Sequence, residues 1–245
     1  MDKLLYVAMS GAKEILNAQN IRSNNLANVD TPGFKEDLAQ ARAMPVFGDV
    51  YPSRVYAMTE RAGTDFTPGN MITTDRDLDV AVSGQGFFAV LDKQGKEAYT
   101  RAGSFFVDAS GFLRTESGES VLGNGGPINL PAYESLEIGV DGTLTVRAQG
   151  QGPESLTVVD RLKMVNPDIK DIEKGMDGLI RRKDGLPENA AFQSRVVNGT
   201  VEGSNVDAVS AMMGVISSGR LFELELKMMK TAEEMDSATA RILHF

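Results

Sequence analysis

Two stretches at opposite ends of the chain carry apolar residues at helical spacing. Leu5, Ala8, Ala12 and Ile15 recur at steps of three and four. The register then passes through Gln19 and Arg22 and turns apolar again at Leu26 and Val29, with Met9 and Leu16 widening the stripe. Residues 3–28 contain no proline and only Gly11 as glycine. This predicts an amphipathic helix with coiled-coil-like spacing, with Asp2 as its N-cap. The helix should stop near Asn28, because Thr31-Pro32-Gly33-Phe34 has the residues of a type II turn: Pro32 presets φ at the second position and Gly33 supplies positive φ at the third. At the other end Leu221, Leu224, Met228, Thr231, Met235, Ala238, Ile242 and Phe245 alternate steps of three and four, which predicts a coiled-coil seam. Val209, Met213 and Ile216 follow the same spacing in a shifted phase, the change falling around Gly214 and Ser217-Ser218-Gly219. Ser204 with Asp207 three residues on resembles a capping box, with Asp in place of Glu.

The middle of the chain has a different period. Glycine and turn dipeptides separate short β-type runs at intervals of about 8–12 residues. Strands are predicted at Leu78–Val82, Phe87–Leu91, Phe105–Val107, Phe112–Thr115, Ile128–Leu130, Leu136–Val140, Leu144–Val146, Leu156–Val159 and Arg161–Val165. Lys93-Gln94-Gly95, Asp108-Ala109-Ser110-Gly111, Glu116-Ser117-Gly118 and Asp141-Gly142 supply the turns. Residues 37–75, with Pro45, Pro52 and Pro68, and residues 182–200 pattern weakly and read as extended connectors. The fold class is therefore α+β. Terminal helical segments 1–36 and 201–245 form a coiled-coil-like domain, an extended connector spans 37–75, and a central mostly-β domain with its return connector spans 76–200. Each helix is joined to the β domain by a connector, so the two stripes must find each other or other subunits.

Composition removes several chemistries. None of the 245 residues is cysteine and the one histidine is His244, so thiol nucleophiles, disulfides, a His-based triad and a His-based zinc site are not expected. The net charge of −9 argues against binding nucleic-acid phosphates or docking on an anionic membrane. No apolar run reaches the ~20 residues of a membrane helix. The first segment, MDKLLYVAMSGAKEIL, lacks a standard cleaved signal, which by itself argues for the cytoplasm.

Two motifs hint at ligand chemistry. Gly84-Gln85-Gly86-Phe87-Phe88-Ala89 matches a dinucleotide fingerprint, but that chemistry needs a helix N-terminus after the glycines and the next residues are β-like, so a tight turn is expected. Asp75, Asp77 and Asp79 alternate as a metal-binding strand face would, yet Arg76 sits among them and no further acidic residue completes an oxygen shell. They read as a solvated strand entrance. No catalytic, cofactor or metal residues are assigned. Asn24, Asn25 and Asn28 cluster at the end of the first helix, where they either cap it or fix register across a helix interface. Met212, Met213, Met228, Met229 and Met235 read as adaptable packing at helix contacts.

Ser23-Asn24-Asn25-Leu26-Ala27-Asn28 followed by Thr31-Pro32-Gly33-Phe34-Lys35 resembles the N-terminal signature of bacterial flagellar basal-body rod and hook proteins. RDLDVAVSGQGFFAV (76–90), YTRAGSFFVDASGFLRTESGESVLG (99–123), GTVEGSNVD (199–207) and RLFELELKMMKTAEEMD resemble later blocks of that family in order. Within it, Met1-Asp2 with Tyr6, Ala8-Met9-Ser10-Gly11-Ala12, Thr31-Pro32-Gly33 and Arg161-Leu162-Lys163 resemble the proximal-rod members. A distal-rod member is the alternative, and a coiled-coil adaptor outside the flagellum a further one. The resemblance implies a non-enzymatic rod subunit in the basal body, exported by the flagellar type III apparatus without a cleaved signal. Its partners would be other rod proteins and copies of itself. It also implies terminal helices that pack around the export channel. On that reading Leu5, Ile15, Leu26, Leu221, Leu224, Met228, Met235 and Ile242 carry the helix packing. Asn24, Asn25, Asn28, Ser204 and Asn205 fix register and helix ends.

Overall fold

The long apolar-striped segments at the two ends do form helices. The computed structural model describes residues 3–46, 54–148, 150 and 156–243; Asp2, His244 and Phe245 lie outside them. Helix α1 spans Lys3–Ala27 and helix α2 spans Ala208–Leu243. At 1.5 Å per residue α2 is about 54 Å long, and it continues unbroken through the predicted phase change. The chain divides into two units. One takes the residues up to Asn28, Asp37–Asp65 and the chain from Val206 on; the other takes Val29–Glu36 and Phe66–Asn205.

In the helical unit α1 and α2 pack antiparallel. Arg22, late in α1, donates to the Gly214 carbonyl (2.9 Å) and to Ser218 Oγ (2.7 Å), early in α2. Gly11, early in α1, faces Glu225 further along. Within the predicted connector, residues 37–46 and 54–64 form a paired ribbon rather than an extended link. Strands β1 (Asp37–Val46) and β2 (Arg54–Thr64) pair antiparallel over their whole length, with Asp37 opposite Thr64 and Val46 opposite Arg54, and the ribbon lies against α1. The sequence hides this because the strands lack apolar-polar alternation. Leu38, Met44, Val55 and Met58 are exposed, and ladder hydrogen bonds rather than a buried face define the ribbon.

The second unit is antiparallel β. Its strands are β3 (Met71–Thr73), β4 (Val80–Ser83), β5 (Phe87–Leu91), β6 (Glu97–Thr100), β7 (Phe105–Val107), β8 (Leu113–Thr115), β9 (Ser120–Gly123) and β10 (Gly126–Pro127). They continue with β11 (Tyr133–Ile138), β12 (Thr143–Ala148), β13 (Leu156–Arg161), β14 (Met164–Val165), β15 (Ile172–Lys174), β16 (Ile180–Arg182), β17 (Arg195–Asn198) and β18 (Thr200–Glu202). The largest sheet runs β15-β16-β6-β5-β9-β8-β7, with β10 on β9 and β14 on β5. Beside it stand the sheet β11-β12-β13 and the pairs β17-β4 and β18-β3. Strand β5 explains its own sequence. Phe88 and Val90 enter a core with Val80, Phe105, Leu113 and Leu144, while Phe87 and Ala89 enter a second one with Tyr99, Val165 and Ile180. A strand buried on both faces reads as a continuous apolar run. The predicted strand Ile128–Leu130 is not one: Ile128 and Leu130 are buried through hydrogen bonds to Val121 and Gly111, just past the two-residue β10. The segment predicted as Arg161–Val165 splits, with Arg161 closing β13 and Met164 opening β14. The 182–200 stretch contributes β17 and the start of β18.

The predicted turns make the hairpins β5–β6, β7–β8, β8–β9 and β11–β12. In the β7–β8 turn Asp108 Oδ1 accepts the N–H groups of Ser110 (2.8 Å) and Phe112 (2.9 Å), and Arg114 Nε donates to Oδ2 (2.6 Å). The Arg114 hydrogen bond, with those backbone donors, holds the Asp108 carboxyl below its usual range. A depressed folded-state pKa adds stability above the unfolded value of about 3.9, and this stability is lost as pH falls through the folded value. The melting temperature of Asp108→Asn should therefore lie below that of the parent at neutral pH. The gap should close in acid below about pH 4. A gap constant across that range contradicts the assignment.

Candidate assembly interface

Helix α2 presents two different faces. Ala211, Val215, Ser218, Phe222, Glu225, Met229, Ala232, Asp236 and Thr239 recur at steps of four and three and are buried or half-buried. This is the seam within the chain. Its small residues, with Ala8 and Ala12 of α1, let the helices approach closely, and Arg22 caps the seam with its two hydrogen bonds. The predicted stripe lies elsewhere: Leu221, Leu224, Met228 and Met235 are 48%, 58%, 46% and 58% exposed. Of the two outcomes expected for this stripe, packing on the other helix or on other subunits, the first does not hold for these four residues: the seam runs along the face of Ala211, Val215, Ser218, Phe222, Met229 and Ala232 and leaves them outside. The Ile242 side chain lies outside the described residues. On α1 the stripe Leu5, Ala8, Ala12, Ile15, Gln19, Arg22 and Leu26 is buried or half-buried, while Leu4, Tyr6, Met9 and Leu16 are exposed.

The polar residues have specific places. Asn25, 2% exposed, donates from Nδ2 to the Asp37 carbonyl (2.9 Å) and accepts from the Asp37 N–H through Oδ1 (3.1 Å). It pairs with the first residue of β1 as a strand neighbour would. Asn28 Nδ2 donates back to the Asn24 carbonyl (2.8 Å), closing the end of α1, and Asn24 itself is exposed. The cap of α2 is Asp207, whose carboxylate accepts from Val209 N–H (3.3 Å) and Ser210 N–H (3.2 Å), so the capping box expected from Ser204 is replaced by a single Asp cap. Asn205 belongs to the β unit, where Oδ1 accepts from Glu36 N–H (2.8 Å) and Nδ2 donates to the Thr67 carbonyl (3.3 Å).

That region of the β unit also holds a buried charge cluster that sequence reasoning missed. Glu202 is 0% exposed. Its Oε1 receives Lys35 Nζ at 2.5 Å and Gly69 N–H at 3.0 Å, and its Oε2 receives the Arg101 guanidinium at 2.8 Å. Lys174 Nζ donates to the Lys35 carbonyl (2.6 Å) and stands 3.7 Å from the Phe34 ring centroid. Burial lowers the Arg101 pKa, with Glu202 opposing the shift. The only sequence signal is a lone charge inside a short β run, as at Val201-Glu202-Gly203. The same site accounts for Gly33, which has a φ of 71°, closes a turn in which Phe34 N–H donates to the Thr31 carbonyl, and itself donates to the Glu202 carbonyl at 2.7 Å.

The two ligand motifs do not form ligand sites of the kind considered. Gly84 and Gly86 make the turn between β4 and β5, and a strand follows where the dinucleotide fingerprint requires a helix. Asp75 and Asp77 are exposed in and beside a turn, and buried Asp79 accepts from Ser104 Oγ and pairs with Arg76. Among the described residues no three acidic or histidine side chains are grouped to hold a metal. No helix among them is long and apolar enough to cross a membrane.

Three family models match the chain: "Flagella basal body rod protein" over residues 5–35, "Flagellar hook protein FlgE/F/G D1 domain" over 81–146, and "Flagellar basal body rod FlgEFG protein C-terminal" over 197–242. The flagellar basal-body rod protein FlgF of Escherichia coli strain K12 is 38% identical over 96% of this chain and 95% of its own. The chain belongs to the flagellar basal-body rod protein family. It is a structural rod subunit. FlgF of Salmonella typhimurium strain LT2 is 36% identical over 99% of both chains, and FlgG of Buchnera aphidicola subsp. Schizaphis graminum is 30% identical over 94% of this one. The rod-protein matches fall on α1 with its following turn, on β4–β12 without its last residues, and on the segment from β17 to α2. Lys35, Arg101 and Glu202 each lie in a different one of them.

Proposed function

We propose that this rod protein is a proximal-rod subunit that assembles through α1 and α2 around the export channel. It reaches that position by type III export without a cleaved signal. Its neighbours are other rod proteins and copies of itself, in heterologous contacts that extend rather than close. Nucleic acid, membrane insertion and catalysis have no part in this role. The observation that carries the reading is the uncovered stripe of α2. Leu221, Leu224, Met228 and Met235 lie along one side of a helix whose other side is already packed. A row of large apolar residues in water marks an interaction surface. An apolar groove of about 360 Å³ in the same unit, lined by Val7, Ala8, Ala43, Val55, Ala57 and Met228 among others, offers a further seat for a neighbour's side chain. Leu5, Ile15 and Leu26 support the stripe by packing α1 within the unit, Asn25 by its pairing with Asp37, and Asn28 by its hydrogen bond back to the carbonyl of exposed Asn24.

The proximal position is supported by two FlgF relatives at 36–38% identity, above the 28–31% of the FlgG relatives, although two further FlgF relatives, at 33% and 28%, reach into that range. Cryo-electron microscopy of basal bodies carrying a tagged copy of this chain tests it. Density in the proximal rod is expected. Density in the distal rod would assign the chain to the alternative branch, and absence from the rod would overturn the proposal.

A further inference from the structure

The chain crosses between the two units four times, after Asn28, Glu36, Asp65 and Asn205. Inside the β unit the stretches flanking these crossings are tied to one another. Gly33 N–H donates to the Glu202 carbonyl (2.7 Å) and Lys35 Nζ bridges Glu202 and the Thr67 carbonyl (2.7 Å). Gly69 N–H meets Glu202 Oε1, Gly203 N–H meets the Asn70 carbonyl (2.8 Å), and Asn205 joins Glu36 to Thr67. Arg101 and Lys174 anchor this lacing in the sheet: Arg101 also donates to the Gly84 carbonyl (2.7 Å), and Lys174 lies on β15. Each of these ties passes through Glu202, Lys35, Asn205 or their immediate neighbours.

We propose that Lys35, Glu202 and Asn205 are positioning residues of a clasp that holds segments 29–36, 66–70 and 199–205 as one cooperative unit, and that the subunit is incorporated only with the clasp closed. The physical ground is the all-or-none character of a buried charge cluster. A carboxylate with no exposed surface, shared by two cations and a backbone N–H, is stable only with its partners in place. Removing one member leaves uncompensated buried charge on the rest. Opening at any one segment therefore costs the others their partners. The incorporation half rests on the proposed assembly through α1 and α2; the cooperative half does not.

The test is hydrogen exchange by mass spectrometry on the full chain, with motility of a strain carrying only the variant as the second readout. In Glu202→Gln, exchange in 29–36, 66–70 and 199–205 should rise together by tenfold or more, while peptides over β5 stay within twofold of the parent. Acceleration confined to 199–205 overturns the clasp. Should Glu202→Gln lose protection in β5 as well, Asn205→Ala decides, because that residue is half-buried and leaves the ion pairs intact. Faster exchange around both Glu36 and Thr67 with β5 protected supports the clasp, and no change at either, or loss of β5 protection, overturns it. Swimming should fall in any variant whose clasp opens. Full swimming with an open clasp overturns the incorporation half alone, and the stripe on α2 is judged separately by its own substitution.

Discussion

Leu224→Asp should abolish swimming in a strain that carries only this variant, while the purified protein melts within about 1–2 °C of the parent. The asymmetry follows from where the side chain is. Leu224 is 58% exposed on α2, away from the seam with α1, and substitutions at such sites change stability by about 0.5 kcal/mol or less. In an assembled rod on the proposed reading the same side chain is buried against a neighbour. Burying a leucine contributes about 1.5–3 kcal/mol, and an unpaired carboxylate in its place costs several more. The penalty recurs at every copy. Met235→Asp should behave alike, about three turns further along the stripe. Normal swimming in both variants would remove α2's exposed side from the assembly contact, whereas a large fall in melting temperature would show that the stripe is packed within the chain.

Gly33→Ala should be strongly destabilising for the addition of a single methyl group. A Cβ there would stand 2.2 Å from the Ala102 nitrogen and 2.3 Å from the Arg101 carbonyl carbon. Both contacts are backbone, so neither can swing aside, and φ of 71° is unfavourable for alanine in any case. We expect a loss of at least about 2 kcal/mol, a fall in melting temperature of roughly 4–8 °C for a chain of this size. Gly95→Ala is the control, because nothing lies within 4 Å of the added carbon although φ there is 76°. Equal losses for the two would mean that backbone conformation alone sets the cost and that the close approach of Gly33 to the Arg101–Ala102 backbone contributes nothing.

Much of the β unit was legible because its strands obey local rules. Phe87–Leu91 and Phe105–Val107 match their predicted bounds, and the turns at Gly95, Gly111, Gly118 and Gly142 carry residues that allow positive φ. The type II turn at Thr31–Phe34 was legible for the same reason. The β1–β2 ribbon was not, since Leu38, Met44, Val55 and Met58 stay exposed and the pairing depends on residues 8–27 positions apart. Short strands such as β15, β16 and β18 are likewise created by the partners they meet. The cluster of Lys35, Arg101 and Glu202 joins residues up to 167 positions apart, and no spacing rule reaches that far.

Periodicity determined that both ends are helices and that α2 carries a large apolar stripe. Residue types determined where the chain turns, and the absence of cysteine with a single histidine removed thiol and histidine chemistry. Which face of α2 meets α1 was decided only in three dimensions. Helices approach closely along small side chains, so Ala211, Ser218 and Ala232 lie in the seam, with Phe222 and Met229 between them, while Leu221, Leu224, Met228 and Met235 were left for other contacts. The meaning of Asn25 and Glu202 was decided there too. A polar side chain is neutral information in a sequence, and becomes a clamp only when folding takes it out of water with a partner in reach.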